Sequence, residues 1–302
     1  MYEQIASNKR RTWLLMAGAV VLLGAVGYVL GLLFATGPAG LVVAVGVALL
    51  MSIGSYLYGD RVVLASARAR EVSPQDEPRL HNIVEGLAIA AGTSKPRVYV
   101  IPERALNAFA TGRDPEHSSI AVTQGLLEGM NRVELEAVIG HELAHVVDRD
   151  ILLGTVLATL VGAVVLISEF FMRAWWWGGV GGRRGSDSRG GGADGILFMV
   201  GFLFLVLAPI AGSLIRLAVS RQREYLADAQ GALLTRYPPG LAGALRKIQA
   251  SAGIPMHAAN NATAHLWLSQ PSRIQGEGVG PLEKLFQTHP PIEERIRRLE
   301  EM

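Results

Sequence analysis

His141-Glu142-Leu143-Ala144-His145 puts two imidazoles and a carboxylate within five residues. On an α-helix, positions i and i+4 differ by about 40° around the axis and about 6 Å along it, so both rings leave one face and can meet one ion. Neutral imidazole suits Zn2+. Glu142 lies beside His141 in angle and can reach a water on such an ion without ligating it. Zinc lowers the pKa of its bound water toward about 7, and a carboxylate can take that water's proton as it attacks a carbonyl. The chemistry in prospect is metal-assisted peptide hydrolysis. Val138, Ile139, Leu143 and Val146 flank the string at helical spacing, which predicts a helix from Glu134 through Val147.

A catalytic zinc takes a third protein ligand, and no second histidine pair follows closely. Glu224, in Ser220-Arg221-Gln222-Arg223-Glu224-Tyr225-Leu226-Ala227-Asp228, is a candidate. Asp228 lies one turn later on the same face. One of these acids can ligate while the other orients a ligand imidazole through its free N–H. The same two acids can equally pair with Arg221 and Arg223 on a solvated face, and the residues alone leave that open. His289 and Arg295 flank Pro290-Pro291 and are candidates to stabilise an oxyanion. His289 can equally cap the last helix. His81, His117, His257 and His265 have no partner at a useful spacing and read as surface residues.

What must position these groups is an unusual chain. Of 302 residues, 50% are hydrophobic and only 18% are charged. The mean hydropathy is +0.31. That balance argues against disorder and against an ordinary soluble enzyme. A net charge of +2 excludes a nucleic-acid sleeve, and the absence of cysteine excludes thiol nucleophiles, disulfides and Cys-ligated zinc. No charge occurs from Thr12 to Gly59, a stretch broken by Gly37-Pro38-Ala39-Gly40. It reads as two membrane-spanning helices, Trp13–Ala35 and Ala39–Leu57. Ile151–Met172 and Ile196–Ile215 are two further candidates. Lys9, Arg10 and Arg11 before the first span, and Arg61, Arg68 and Arg70 after the second, put both ends of this hairpin in the cytoplasm.

Four segments follow from this: a transmembrane hairpin 1–59, a polar part 60–150, a second apolar hairpin 151–215, and a polar part 216–302. The two polar parts together form one domain, with helices at Asp76–Ala91, Ser220–Thr235, Leu241–Ala250 and Pro291–Glu301. Arg97–Ile101, Asn107–Thr111 and Ser119–Thr123 read as strands of a small antiparallel sheet. The expected class is thus a mainly α membrane protein with that sheet and about four spans. His145 and Glu224 must share one side of the membrane to meet one ion. If both later segments cross, the Trp- and Gly-rich loop 173–195 lies outside. His257–Gln270 and Gly276–Gly280 carry no clear pattern.

The chain resembles the HtpX family of membrane-embedded zinc endopeptidases, to which the CAAX prenyl proteases are related. The stretches that carry the resemblance are Asn107-Ala108-Phe109-Ala110-Thr111-Gly112, Thr123-Gln124-Gly125-Leu126-Leu127, Glu134-Leu135-Glu136-Ala137-Val138 leading into the histidine motif, Arg149-Asp150, the run Ser220–Asp228, Thr288-His289-Pro290-Pro291, and Arg295. The resemblance implies a zincin-type fold with Glu224 as third ligand of one Zn2+. It also implies a bacterial or archaeal plasma-membrane protease whose substrates are proteins, chiefly damaged or misassembled membrane proteins. Asn107, Ala108 and Phe109 then resemble the zincin edge strand, which pairs with an extended substrate. Two other functions fit parts of the same pattern: a prenyl-peptide processing protease, and a membrane scaffold or transporter with a regulatory metal.

Overall fold

The computed structural model describes residues 2–33, 37–163, 221–260, 262–271 and 290–302. The first two helices are long and apolar, α1 (Tyr2–Leu33) and α2 (Ala39–Ser66), packed on each other and joined through Gly37-Pro38. Trp13 stacks on Tyr56 across them. Among the described residues, α2 alone is long and apolar enough to cross a membrane, and little of it is buried. Val42, Val43, Leu50 and Ile53 stand exposed on it. Such a face suits lipid and not water.

After α2 come β1 (Arg70–Glu71), α3 (Pro78–Ala91), β2 (Arg97–Ile101), β3 (Ala108–Gly112), β4 (Ser118–Thr123), α4 (Gln124–Gly129) and α5 (Arg132–Val147). α3 starts with Pro78 and ends at Gly92, whose φ of 63° is the left-handed conformation that a helix stop favours. The strands order as β1-β2-β4-β3. β2 and β4 run parallel, and β3 and β4 antiparallel. The sheet is therefore mixed, not antiparallel as expected. The loop 102–107 carries the chain past one strand position, and β4 hairpins back from β3 into the gap. Strand periodicity is the same for both kinds of pairing, so residue pattern could not separate them.

Alternation along the strands sends side chains to two cores. Val98, Val100, Ile120 and Val122 pack with Leu80 and Leu87 of α3 and Leu135, Val138 and Ile139 of α5. Tyr99, Ile101, Phe109 and Ala121 pack on the other face, against Val63 and Leu64 of α2 and Trp267. The apolar helix thus lies directly on the sheet through its C-terminal end.

α5 is fixed at its start by a capping box between Asn131 and Glu134. It stops where Arg149 takes φ 58°, and α6 (Asp150–Ala163) leaves at an angle. The expected third span, Ile151–Met172, is described only as far as Ala163. The fourth, and the loop 173–195, lie outside the described residues. The rest of the domain is α7 (Arg221–Thr235), α8 (Pro238–Ala250), a 3-10 turn at Ala264–Leu266 and α9 (Ile292–Glu300). α7 crosses α5 where Gly140 meets Gly231. A Cβ on Gly231 would stand 2.8 Å from the backbone nitrogen of His141.

That contact is backbone, so it cannot yield by a side-chain rotation. Gly231→Ala is expected to push α7 off α5 and cost about 1–3 kcal/mol, with a parallel loss of zinc occupancy. Unfolding in detergent measures it. Gly86→Ala on α3, where nothing lies within 4 Å, serves as the control and is expected to be neutral or stabilising by up to about 1 kcal/mol.

Candidate metal centre

The i, i+4 spacing on α5 brings His141 Nε2 within 3.2 Å of His145 Nε2. α7 delivers Glu224 from the side: its Oε1 is 3.7 Å from His145 Nε2 and its Oε2 is 3.9 Å from His141 Nε2. Donors on a tetrahedral zinc, with bonds of about 2.0–2.2 Å, stand roughly 3.3–3.6 Å apart. Two imidazoles and a carboxylate converging at these separations fit zinc in both chemistry and size. The three are one of two His and acid groups close enough to hold an ion among the described residues. The other, Asp114, Glu116 and His117, is largely exposed.

Each imidazole is turned by a carboxylate behind it. His141 Nδ1 lies 2.9 Å from Asp228 Oδ1, and His145 Nδ1 lies 3.2 Å from Asp150 Oδ2. A carboxylate only accepts, so each Nδ1 carries a proton, which leaves Nε2 as the atom through which each ring, once neutral, can meet a metal. Asp228 is gripped by Arg295, whose Nε and Nη2 reach its two oxygens at 2.8 and 2.7 Å. Nη1 of the same guanidinium donates to the Leu268 carbonyl at 2.9 Å. Arg295 is 1% exposed. It lies buried behind the site on Asp228 and the Leu268 carbonyl, with Nη1 also 3.8 Å from Glu224 Oε2, and not against substrate as expected. Arg223 pairs with Asp150 at 3.2 Å, and Glu224 and Asp228 are buried and do not lie on a solvated face.

Burial sets the electrostatics. It pushes the Glu142 carboxyl up to about 7, and the nearby Glu224 adds to the rise. Burial also holds His141 below its ordinary value, in spite of Asp228. For His145 burial pulls downward, but the hydrogen bond it donates to Asp150 and the charges of Glu224, Asp150 and Glu142 outweigh it and lift the ring of the metal-free site to about 9. Burial works against the Asp228 charge, yet Arg295 and His141 bring its carboxyl down to about 2. The pocket is thus a place of concentrated negative potential around the two Nε2 atoms, which favours a cation.

Glu142, 2% exposed, lies against Ala110 of β3, whose backbone N–H favours its charged form. This joins the acid–base group to the edge strand. The other edge residues are less open than expected. Asn107, Ala108 and Phe109 are buried. The outward carbonyl of Ala108 already accepts from Leu268 N–H at 2.9 Å. Asn107 donates to the Ser269 carbonyl, and Phe109 meets Trp267 edge to face. Open edge is left around Ala110, which lines the cleft with Glu142, Glu224, His265 and Leu266. His289 lies outside the described residues.

Three features escape the residue pattern. Asp150 is five residues past His145, and only the left-handed Arg149 folds it back beside the ring. His265, expected at the surface, is buried, reaches the Gly154 carbonyl at 3.1 Å and lines the cleft. His81 is buried as well, with Nε2 at 2.9 Å from the Val72 carbonyl. No periodicity marks such loop contacts.

With this geometry in view, the chain was compared with known proteins. The model of peptidase family M48 matches residues 74–302. A protease HtpX homolog of Thermoanaerobacter pseudethanolicus is 46% identical over 303 residues, covering 100% of this chain and 98% of the relative. Homologs of the same name from Streptococcus pneumoniae and Lactobacillus acidophilus are 44% and 46% identical, each covering 100% of both chains. Among solved structures, that of S. mikatae Ste24p is similar in fold, with a TM-score of 0.51 at 17% identity, over 99% of this chain and 67% of that one.

Arg295 separates two roles experimentally. Arg295→Met leaves Asp228 as an unpaired buried carboxylate, and breaking such a pair costs about 3–5 kcal/mol. The expected result is a lower Tm and weaker zinc retention in purified protein, with KM for peptide little changed where activity survives. A substrate role would instead raise KM at unchanged Tm.

Proposed function

The chain belongs to peptidase family M48 and is a metalloprotease, and on that premise we propose its substrates, its placement and the role of each site residue. It is a membrane-bound zinc endopeptidase that hydrolyses peptide bonds in misfolded or damaged membrane proteins. The reading rests above all on the convergence of two Nε2 atoms and the Glu224 carboxylate beside a buried acid. The alternative of a non-catalytic scaffold or transporter is set aside by the family.

His141, His145 and Glu224 hold one Zn2+ per chain. When bound, zinc polarises the scissile carbonyl and makes water acidic enough to attack near neutral pH. Glu142 takes the proton of the attacking water as its oxygen bonds the carbonyl carbon. The same carboxyl hands a proton to the leaving nitrogen as the C–N bond breaks. Burial lifts this carboxyl above the ordinary carboxylate range, which favours its carrying the proton between the two steps. The Ala110 N–H keeps Glu142 facing the strand along which an extended substrate would lie. Since Leu268 covers Ala108 and Thr155 takes the Gly112 N–H, substrate pairing is proposed at Ala110. His289 is proposed to stabilise the oxyanion. Asp228 and Arg295 orient His141.

The placement proposed is the plasma membrane of a bacterium or archaeon, with the site on the cytoplasmic face and four spans in all. Exposed apolar side chains on α1 and α2 support the first hairpin. A site next to the membrane end of α2 reaches loops of membrane proteins and chains drawn from the bilayer.

Two experiments check these claims. Glu142→Gln is expected to retain zinc and lose about 100- to 10,000-fold in casein cleavage; a folded variant with near wild-type turnover would remove Glu142 from the mechanism. In this cysteine-free chain, Ser186→Cys is expected to react with an impermeant thiol reagent in intact cells. Labelling only after the membrane is opened would mean that the second apolar hairpin stays inside.

A further inference from the structure

Asp150 opens α6 and gathers donors from three other elements. Its Oδ2 takes the Nδ1 proton of His145 on α5, and its Oδ1 meets Arg223 Nη1 on α7. The same Oδ1 also accepts from the side-chain amide of Asn8, on the N-terminal helix α1. That amide nitrogen donates further to the Asp148 carbonyl at 3.0 Å. Asn8 is 3% exposed, although Lys9 and Arg10 next to it are exposed. A buried amide is costly unless its hydrogen bonds are made. Asn8 makes them to the turn that bends α5 into α6 and to the acid behind His145.

The packing around it points the same way. Leu15 and Met16, two turns further along α1, pack against Leu152, Leu153 and Val156 of α6. α1 and α6 therefore meet along a dry face, and Asn8 sits at its end. A lone carboxylate can turn about its side-chain bonds. Donors from α1, α5 and α7 fix its plane, and with it the direction of His145 Nε2.

We propose that Asn8 is a positioning residue of the metal centre: through it, α1 holds Asp150 in the orientation that His145 needs to present Nε2 to zinc. α1 then does more than anchor the chain, because its Asn8 amide helps to set the geometry of the site. The proposal rests on the zinc reading above.

The test is zinc affinity, by chelator competition, of the full-length protein in detergent. Outer partners of ligating histidines typically contribute about 10–100-fold in affinity. Asp150→Asn is expected within that range. Asn8→Ala and Asn8→Leu are expected near its lower end, about 10-fold, with kcat falling in reloaded enzyme and KM unchanged. Asn8→Leu nearly conserves volume, so it removes the amide without leaving a hole. Leu15→Ala weakens the same helix contact without touching Asp150; it is expected to lower Tm and leave zinc affinity at the wild-type value. Wild-type affinity in a folded Asn8→Leu, or an equal loss in Leu15→Ala, would overturn the proposal. Failure of the wild type itself to bind zinc would instead overturn the metal reading on which it stands.

Discussion

Two carboxylates, one buried and one partly buried, each accepting the Nδ1–H of one histidine, are the interaction on which the rest of this structure depends. Asp228 does this for His141 and Asp150 for His145. Together they force both Nε2 lone pairs into one small space. Without them the rings would be free to turn and to take the other tautomer, and the i, i+4 spacing would bring two imidazoles near each other without aiming them. Each carboxylate is itself held by a charge: Arg295 on Asp228 and Arg223 on Asp150. Four helices, α5, α6, α7 and α9, are thus tied to one point by charge-assisted bonds, which are stronger than neutral ones. The close crossing of α5 and α7 at Gly140 and Gly231 is what lets the third donor, Glu224, reach the same space.

The same residues connect catalysis to the membrane. β3 touches Glu142 through Ala110, and the sheet's other face rests on α2 and Trp267. α1 reaches Asp150 through Asn8. The apolar helices are therefore part of the scaffold that fixes the site, not a separate anchor joined by a linker. The segment Trp267–Ser269 covers the start of β3, so this edge strand is already partly paired.

The catalytic core was legible because the signal is self-contained. His141, Glu142 and His145 sit on one turn-and-a-bit of one helix, and helical spacing alone predicts that they converge. Glu224 was only half legible: its residues allowed either a ligand or a surface ion pair, and resemblance to a family, not spacing, tipped the balance. Asp150 was hidden by a helix break. Its position relative to His145 depends on the left-handed φ of Arg149, which residue type does not announce. Arg295 was visible as a polar residue near the end of the chain, but its burial was not, because pairing with Asp228 across 67 residues leaves no local mark. The sheet was legible as strands and illegible as topology, since parallel and antiparallel pairing read the same along a single strand.

The most direct test of this account is the zinc coordination shell in the purified full-length protein, read by X-ray absorption at the zinc edge. The account expects one zinc per chain with two imidazole nitrogens at about 2.0–2.1 Å, one protein carboxylate oxygen and no sulfur. In Glu224→Ala the carboxylate contribution should vanish while both imidazoles remain. A third imidazole in the wild-type shell, or a shell unchanged by Glu224→Ala, would contradict it.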